Sequence, residues 1–307
     1  MLPLSRHTAA VLVAFRPDAD PRPLLAQLDG HVAHTVVVDN SADGLPAVQA
    51  LPAQPQLSVL HNRNRGGLAG AYNLALRHLA EAEPGAAAQP ITHVVFLDED
   101  TDASVLPHLL CDPAAAALLH QADTAAVAPA YVERATALRG KYIQLERWHL
   151  NYLPRQFSGL KRVAFVINSM SVWRLAALQQ IGPFNEGLAI DHVDTEYCLR
   201  ARQAGLGVHV HGSHEFLHAI GQRRRFRFLG REMQAGGHSP ARRYLIGRNT
   251  AWLGWHYLWR EPAFAFLCAT RMVYEIVGIA LAEDRRPAKL WALMRGALVG
   301  AFSPRLR

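Results

Sequence analysis

Cysteine is scarce: Cys111, Cys198 and Cys268 are the three in 307 residues, and none stands in a Cys-x-x-Cys pair. A disulfide scaffold and a cysteine-based zinc module are therefore excluded, and the odd count at wide spacing points to a reducing compartment. The N-terminus, MLPLSRHTAAVLVAF, lacks both a basic region ahead of a long apolar run and a small-residue cleavage site behind one, so no signal peptide is expected. Charged residues are sparse at 19%, whereas hydrophobic residues make up 50%, which excludes a mainly disordered or fibrous chain. There is no internal repeat, and the Ala86–Ala88 and Ala114–Ala117 runs are too short to be low-complexity linkers. Acidic residues are missing where basic ones gather. The last 87 residues carry 16 Lys and Arg against 5 Asp and Glu, the first 220 carry 16 against 20, and a basic tail of this kind faces an anionic partner.

Apolar runs of strand length alternate with helical patterns up to about residue 220. Ala9–Phe15, Thr35–Asp39, Leu57–His61, His93–Asp98, Ala125–Ala130, Val163–Asn168 and Val208–Val210 read as strands; Gly67–Ala80, Trp173–Ile181 and Asp194–Ala204 read as helices. This alternation predicts an α/β fold, a mostly parallel sheet covered by helices, with its ligand site beyond the carboxyl ends of the strands. The composition shifts after His218-Ala219-Ile220-Gly221, giving an expected division into a domain over 1–221 and a helical region over 222–307 rich in Arg and aromatics.

Four expected strand ends carry polar tips: Phe15-Arg16-Pro17-Asp18, Asp39-Asn40-Ser41, Asn62-Arg63-Asn64-Arg65-Gly66-Gly67 and Asp98-Glu99-Asp100-Thr101-Asp102. Each alone is also what ordinary turns and helix caps look like. Asp98 and Asp100 point to one side of an extended chain, an arrangement that suits a hard divalent ion such as Mg²⁺ or Mn²⁺, though a solvated acidic turn has the same sequence. A phosphatase Asp-x-Asp-x-Thr motif is disfavoured, because the threonine falls at 101, one place early. Asp191, Asp194 and Glu196 open a helix, where one carboxylate serves as a cap and another facing a cleft suits a general base. His209, His211, His214 and His218 crowd one strand at a spacing that matches no structural zinc pattern, so most read as packed or exposed strand residues. His218 is the exception, a neutral imidazole able to complete a cation site begun by Asp100.

In order along the chain, these strings resemble the inverting, nucleotide-sugar-dependent glycosyltransferases of family two with the GT-A fold, especially their rhamnosyltransferase branch. The resemblance rests on Val11–Phe15, Val36–Ser41, Asn62–Asn73, Asp98–Thr101, Asp194–Arg200 and His218–Gly221, with Arg243-Tyr244 and Arg248-Asn249 extending it. It implies that Phe15, Asp39 and Arg63 line the nucleotide pocket, that Asn64, Gly66 and Gly67 pass close to the nucleotide, and that Asp98 meets the ribose side. It further implies that Asp100 with His218 holds Mg²⁺ or Mn²⁺ on the diphosphate, and that Asp194 is the base, with Asp191 and Glu196 secondary. Ser169 would lie beside the donor sugar, next to Met170, a departure where relatives carry glycine or a small residue. The donor implied is dTDP-rhamnose, with UDP-galactofuranose and UDP-glucose as alternatives, and the acceptor is a saccharide or a lipid-linked one.

Ala263–Ala282 has the length of a membrane span, yet Arg271 and Glu275 lie inside it, which disfavours crossing. Trp252, Trp255, Tyr257, Trp259 and Trp291 among Arg248, Arg260, Arg285, Arg286, Lys289 and Arg295 suit an anionic membrane surface, and equally a helical hairpin packed on the protein. Arg223–Phe228 interleaves Arg with Phe as single-strand binders do, but no nucleic-acid module accompanies it, so no nucleic-acid partner is expected. The expected location is cytoplasmic, peripheral on the inner face of the membrane. A homo-oligomer is compatible with the sequence, which sets no stoichiometry.

Overall fold

The computed structural model describes residues 4–16, 18–81, 89–134, 136–218, 224–228, 230–304 and 306. The chain divides into two compact units, one built from residues up to 144 with 152–189 and 193–219, the other from 145–151, 190–192 and 220–307. The division expected at 221 falls outside the described residues, and the second unit also takes two short pieces, one of them containing Asp191.

The first unit is an eight-stranded sheet. Its strands are β1 (Thr8–Ala14), β2 (His34–Asp39), β3 (Leu57–His61), β4 (His93–Asp98), β5 (Thr124–Glu133), then, past the short β6 (Ile143–Leu145) and β7 (Leu150–Tyr152), β8 (Leu160–Val163), β9 (Val172–Arg174) and β10 (Gly207–His218). The sheet order is β3-β2-β1-β4-β9-β5-β10-β8. All seven residues of β1 are buried, the mark of a parallel strand covered on both faces and the reason it reads as an unbroken apolar run. Helices α1 (Arg22–Leu28), α2 (Pro46–Gln49), α3 (Gly67–Glu81), α4 (Leu106–Cys111), α5 (Pro113–Leu119), α6 (Leu175–Ile181) and α7 (Val193–Gln203) fall between or after the strands.

Register fixes the functional edge. β1 runs parallel to β2 and β4, with Ala14 opposite Asp39 and Val13 opposite Asp98, and β2 runs parallel to β3, with Asp39 opposite His61. The four polar tips therefore emerge along one edge.

Two expected elements differ. The strand over 163–168 is in fact β8, which ends at Val163 and pairs antiparallel with β10, and the chain from 164 to 168 is irregular. The helix expected from Trp173 begins at Leu175, because Val172–Arg174 inserts as β9, antiparallel to both β4 and β5. Trp173 is fully buried there and its indole N–H donates to Ser171 Oγ at 2.7 Å, a tertiary fit that overrides the helical period.

The second unit holds the hairpin β11 (Arg224–Phe228) and β12 (Arg231–Ala235) and three long helices, α8 (Pro240–His256), α9 (Pro262–Ala282) and α10 (Arg286–Phe302). α8 and α10 meet backbone to backbone: a methyl group on Gly247, Gly296 or Gly300 would run into a carbonyl of the facing helix. Arg243 is fully buried between Glu275 and Glu283, and Lys289, read from sequence among the basic residues suited to an anionic membrane surface, is buried on Glu283 (2.9 Å) and Asp284 (2.7 Å).

Candidate active site

The acidic tip after β4 organises the edge. Glu99 Oε2 accepts from the backbone N–H groups of Phe15 (2.7 Å) and Arg16 (3.1 Å), and its other oxygen accepts from the Arg16 guanidinium, which reaches on to Asp100 Oδ2 at 3.0 Å. Glu99 thereby sets the loop after β1 and leaves the Phe15 ring half exposed. Neither Glu99 nor Arg16 carries a signal of this role in the sequence, although both stand in the polar tips.

Asp98 faces the opposite way from Glu99. Thr101 Oγ1 accepts from the Asp98 backbone N–H (3.0 Å) and lies 2.7 Å from Ser169 Oγ, so Ser169 joins the turn after β4 to the segment ahead of β9. Burial, followed by the charges of Asp100, Asp194 and Glu99, pushes the Asp98 carboxyl up to about 7, against the pull of Ser169. Tyr72 of α3 is raised by burial and then by the same Asp98 and Asp194, which places all three side chains in one electrostatic neighbourhood. Its ring sits on Phe96 (4.5 Å between centroids) and Phe184 (5.1 Å), an apolar floor that keeps water from screening the carboxylates.

Asp194 occupies the first turn of α7, where its Oδ1 accepts from the Thr195 N–H at 2.8 Å and the helix dipole favours its charge. Glu196 turns away from it. Buried, its two oxygens accept from Arg200 Nε (2.8 Å) and Nη2 (3.1 Å), and Arg200 also donates to Ile181 O and Pro183 O, so the pair fixes α7 to the end of α6 and the turn after it. Asp191 belongs to the second unit, where Arg242 approaches it at 3.2 Å; burial raises its carboxyl, but Arg242 more than offsets this and the net shift is downward.

Asp39 is 1% exposed and both its oxygens are engaged, Oδ1 by Ser41 N–H and O–H (3.0 and 2.7 Å) and Oδ2 by Leu45 N–H (2.7 Å). Burial raises its carboxyl, and these donors together with His61 bring the net shift below the usual range. In this structure Asp39 shapes the loop behind β2. The next loop takes left-handed backbone at Arg63, Asn64, Gly66 and Gly67. Gly66 and Gly67 face protein: a methyl group on Gly66 would lie 2.6 Å from a Glu186 oxygen, and one on Gly67 would collide with Ala189 O. Leu68 N–H donates to that same carbonyl at 2.6 Å, and Asn73 Nδ2 donates to Glu186 Oε1 at 2.8 Å. Gly67→Ala is expected to lower stability by about 1–3 kcal/mol, measurable as a shifted urea midpoint at unchanged slope.

Met170 has φ of 65°, a left-handed backbone that favours glycine; it is fully buried, and its N–H donates to Phe96 O at 2.8 Å. His218 ends β10 with its ring 6.0 Å from that of Tyr131. Among the described residues, the metal-competent trio whose ligand atoms all lie within 4.8 Å of one another is Asp112, His211 and His214, which includes neither Asp100 nor His218.

Asp98 nonetheless meets the negative charges of both Asp100 and Asp194 beside the Tyr72 floor. A divalent cation would relieve that repulsion, so the donor set fits Mg²⁺ or Mn²⁺, oxygen-loving ions.

Comparison with known proteins bears on these elements. The dTDP-rhamnosyl transferase RfbF of Shigella flexneri is 24% identical over 251 residues, covering 80% of this chain and 79% of that protein. Residues 1–349 of S. aureus TarS align with a TM-score of 0.46 at 17% identity, over 97% of this chain and 72% of that one. GalNAc-T7 with UDP, GalNAc and Mn²⁺ aligns at 0.47 and 10% identity, over 90% and 56%. The sequence model of glycosyl transferase family 2 matches residues 24–182, just over half the chain, from α1 through β4 and its acidic tip to the end of α6. By that match the chain belongs to glycosyl transferase family 2.

Proposed function

We propose that this glycosyltransferase moves L-rhamnose from dTDP-rhamnose to a saccharide or lipid-linked saccharide acceptor, with inversion and with a divalent cation. The observation behind the mechanism is that Asp98, at the end of β4, feels the charges of Asp100 beside it and of Asp194 from the start of α7, and that Asp98 and Asp194 both act on Tyr72 of the Tyr72–Phe96–Phe184 floor. Asp194 takes the proton from an acceptor hydroxyl as its oxygen attacks the anomeric carbon. The bond from that carbon to the diphosphate oxygen breaks on the opposite face, so one in-line displacement inverts the centre. Asp100, with Asp98 behind it, would hold Mg²⁺ or Mn²⁺, whose charge offsets the negative charge left on the departing diphosphate. Arg16 lies beside Asp100 and is half exposed, placed to add a second positive charge at the same tip.

The rhamnosyl donor is supported by the likeness to the Shigella flexneri protein. Calorimetric titration with dTDP, UDP, GDP and CDP, with and without Mg²⁺ or Mn²⁺, tests it. Metal-dependent binding of dTDP is the expected result, and a preference for UDP would keep the enzyme class and replace the donor.

The second unit supports attachment to an anionic membrane on the cytoplasmic side. α9 is long and apolar enough to cross a bilayer by length and composition, but its Glu275 is tied to Arg271 at 3.8 Å and to buried Arg243. Of the aromatics expected at a membrane, Trp252 and Tyr257 are core residues, while Trp255, Trp259 and Trp291 are exposed, as are Phe266 and Phe302. Large exposed aromatics beside a basic excess suit an in-plane lipid contact. Deleting 283–307 would strip α8 of α10, which packs on it through Gly247, Gly296 and Gly300, so point changes are the better probe. Trp259→Glu with Trp291→Glu is expected to move most of the protein from pelleted to soluble fractions of anionic vesicles; unchanged sedimentation would count against attachment by this surface.

A further inference from the structure

β10 carries a break that the glycosyl-transfer site does not use. His211 lies opposite Pro129 of β5, whereas Glu215 lies opposite the next residue, Ala130, so Gly212, Ser213 and His214 form an insert in the strand. The insert is anchored by bonds of its own. Gly212 N–H donates to Gly159 O (2.8 Å), Gly159 N–H donates to Ser213 Oγ (3.1 Å), and Arg139 donates to Gly212 O (3.0 Å) and pairs with Glu215. Gly212 leaves no room for a methyl group against Phe157, which fixes how close the insert lies.

The break turns two histidines toward one carboxylate. Asp112 caps α5 with Oδ1, which accepts from the N–H groups of Ala114 and Ala115 at 2.9 Å each. Its Oδ2 is left to face His211 Nε2 at 3.4 Å and His214 Nε2 at 3.0 Å. Tetrahedral zinc with bonds of about 2.0–2.1 Å sets its ligands about 3.3 Å apart, close to both separations. The three side chains are no more than one-fifth exposed, so the cluster is sheltered yet reachable.

We propose that Asp112 Oδ2, His211 Nε2 and His214 Nε2 form a binding site for a borderline transition-metal ion, Zn²⁺ in the first place, separate from the oxygen-lined cation site at Asp98–Asp100. Two imidazoles and one carboxylate favour zinc over magnesium by donor type. The ion would tie the start of α5 to the insert in β10, joining segments about a hundred residues apart. His211 turns Nε2 toward Asp112 and its other ring nitrogen toward the insert. Its Nδ1 now accepts from Ser213 N–H at 3.3 Å; coordination moves the ring proton to Nδ1 and gives up that long, weak bond.

The test is Zn²⁺ titration of chelator-treated protein against a competing chromophoric chelator at pH 7.5, with thermal melts in parallel. The wild type should bind one equivalent tightly, with a raised melting temperature, in the presence of roughly millimolar Mg²⁺. His214→Gln should weaken that equivalent by more than about tenfold. Asp112→Asn should do the same while keeping the helix cap, since Asn caps as well as Asp, so a loss there reports lost coordination and not lost folding. Asp194→Asn should bind Zn²⁺ as the wild type does, which separates this site from the transfer reaction. Equal Zn²⁺ binding by the wild type, His214→Gln and Asp112→Asn, or displacement of the ion by Mg²⁺, would overturn the proposal.

Discussion

Asp194→Asn is expected to lower kcat by about 10²–10⁴-fold, the usual contribution of a positioned general base, while the donor's dissociation constant stays within roughly threefold. Asparagine keeps the shape of the side chain and its bond from Thr195 N–H, so the first turn of α7 should persist. What goes is the ability to accept a proton from the acceptor hydroxyl. A kcat that falls with donor binding preserved is the signature of an interaction made only as the reaction proceeds. Glu196→Gln is the contrast. It weakens the pair with Arg200, which keeps its bonds to Ile181 O and Pro183 O, and should cost stability on the order of 1–3 kcal/mol, with folded enzyme keeping its pH profile. Near-normal turnover in Asp194→Asn would remove the base assignment. Asp191 is a poor substitute for the role, because Arg242 already holds its carboxylate in the second unit.

The sequence made the sheet legible where burial is two-sided, because β1, β2 and β4 are continuous apolar runs that no exposed element would carry. It failed at β9, three residues long, whose identity comes from Trp173 filling the core and not from local pattern. Asp98, Asp100 and Asp194 were readable as carboxylates at element ends. The negative charge gathered around Asp98 was not, since it depends on Tyr72 and Phe184 arriving from other parts of the chain. The glycines at 66 and 67 were legible as a constrained loop, but the constraint comes from Glu186 and Ala189, which composition cannot show. Glu99 falls on the side opposite Asp98 by alternation, and the sequence does not show that the loop after β1 fills that side. The Asp112–His211–His214 cluster needed both a strand insert and a helix cap, neither of which leaves a regular spacing in the sequence.

Asp98→Asn should stabilise the ligand-free protein at pH 8 while abolishing metal-dependent donor binding. Loss of surrounding water, then Asp100, Asp194 and Glu99, pushes the folded carboxyl up from an ordinary 3.8 to about 7. Between those values the folded chain holds a proton that the unfolded chain has released, so stability falls as pH rises through the window. The contribution is complete below about pH 4 and lost by the time pH has passed 7, a swing on the order of 2–4 kcal/mol. Asparagine cannot ionise, so its melting temperature should change less over the same range and exceed the wild type's at pH 8 by about 5–10 °C. Added Mn²⁺ should reverse the order, raising the wild type's melting temperature more at pH 8 than at pH 5.5, where the ion must displace a proton, and leaving Asp98→Asn little changed. Melts of both proteins across this pH range, with and without Mn²⁺, decide it. Parallel pH curves for the two would mean that Asp98 is ionised in the folded protein like an exposed aspartate. The crowding of carboxylates over the aromatic floor would then not be what readies this edge for a cation, and Asp100 would have to hold it without Asp98.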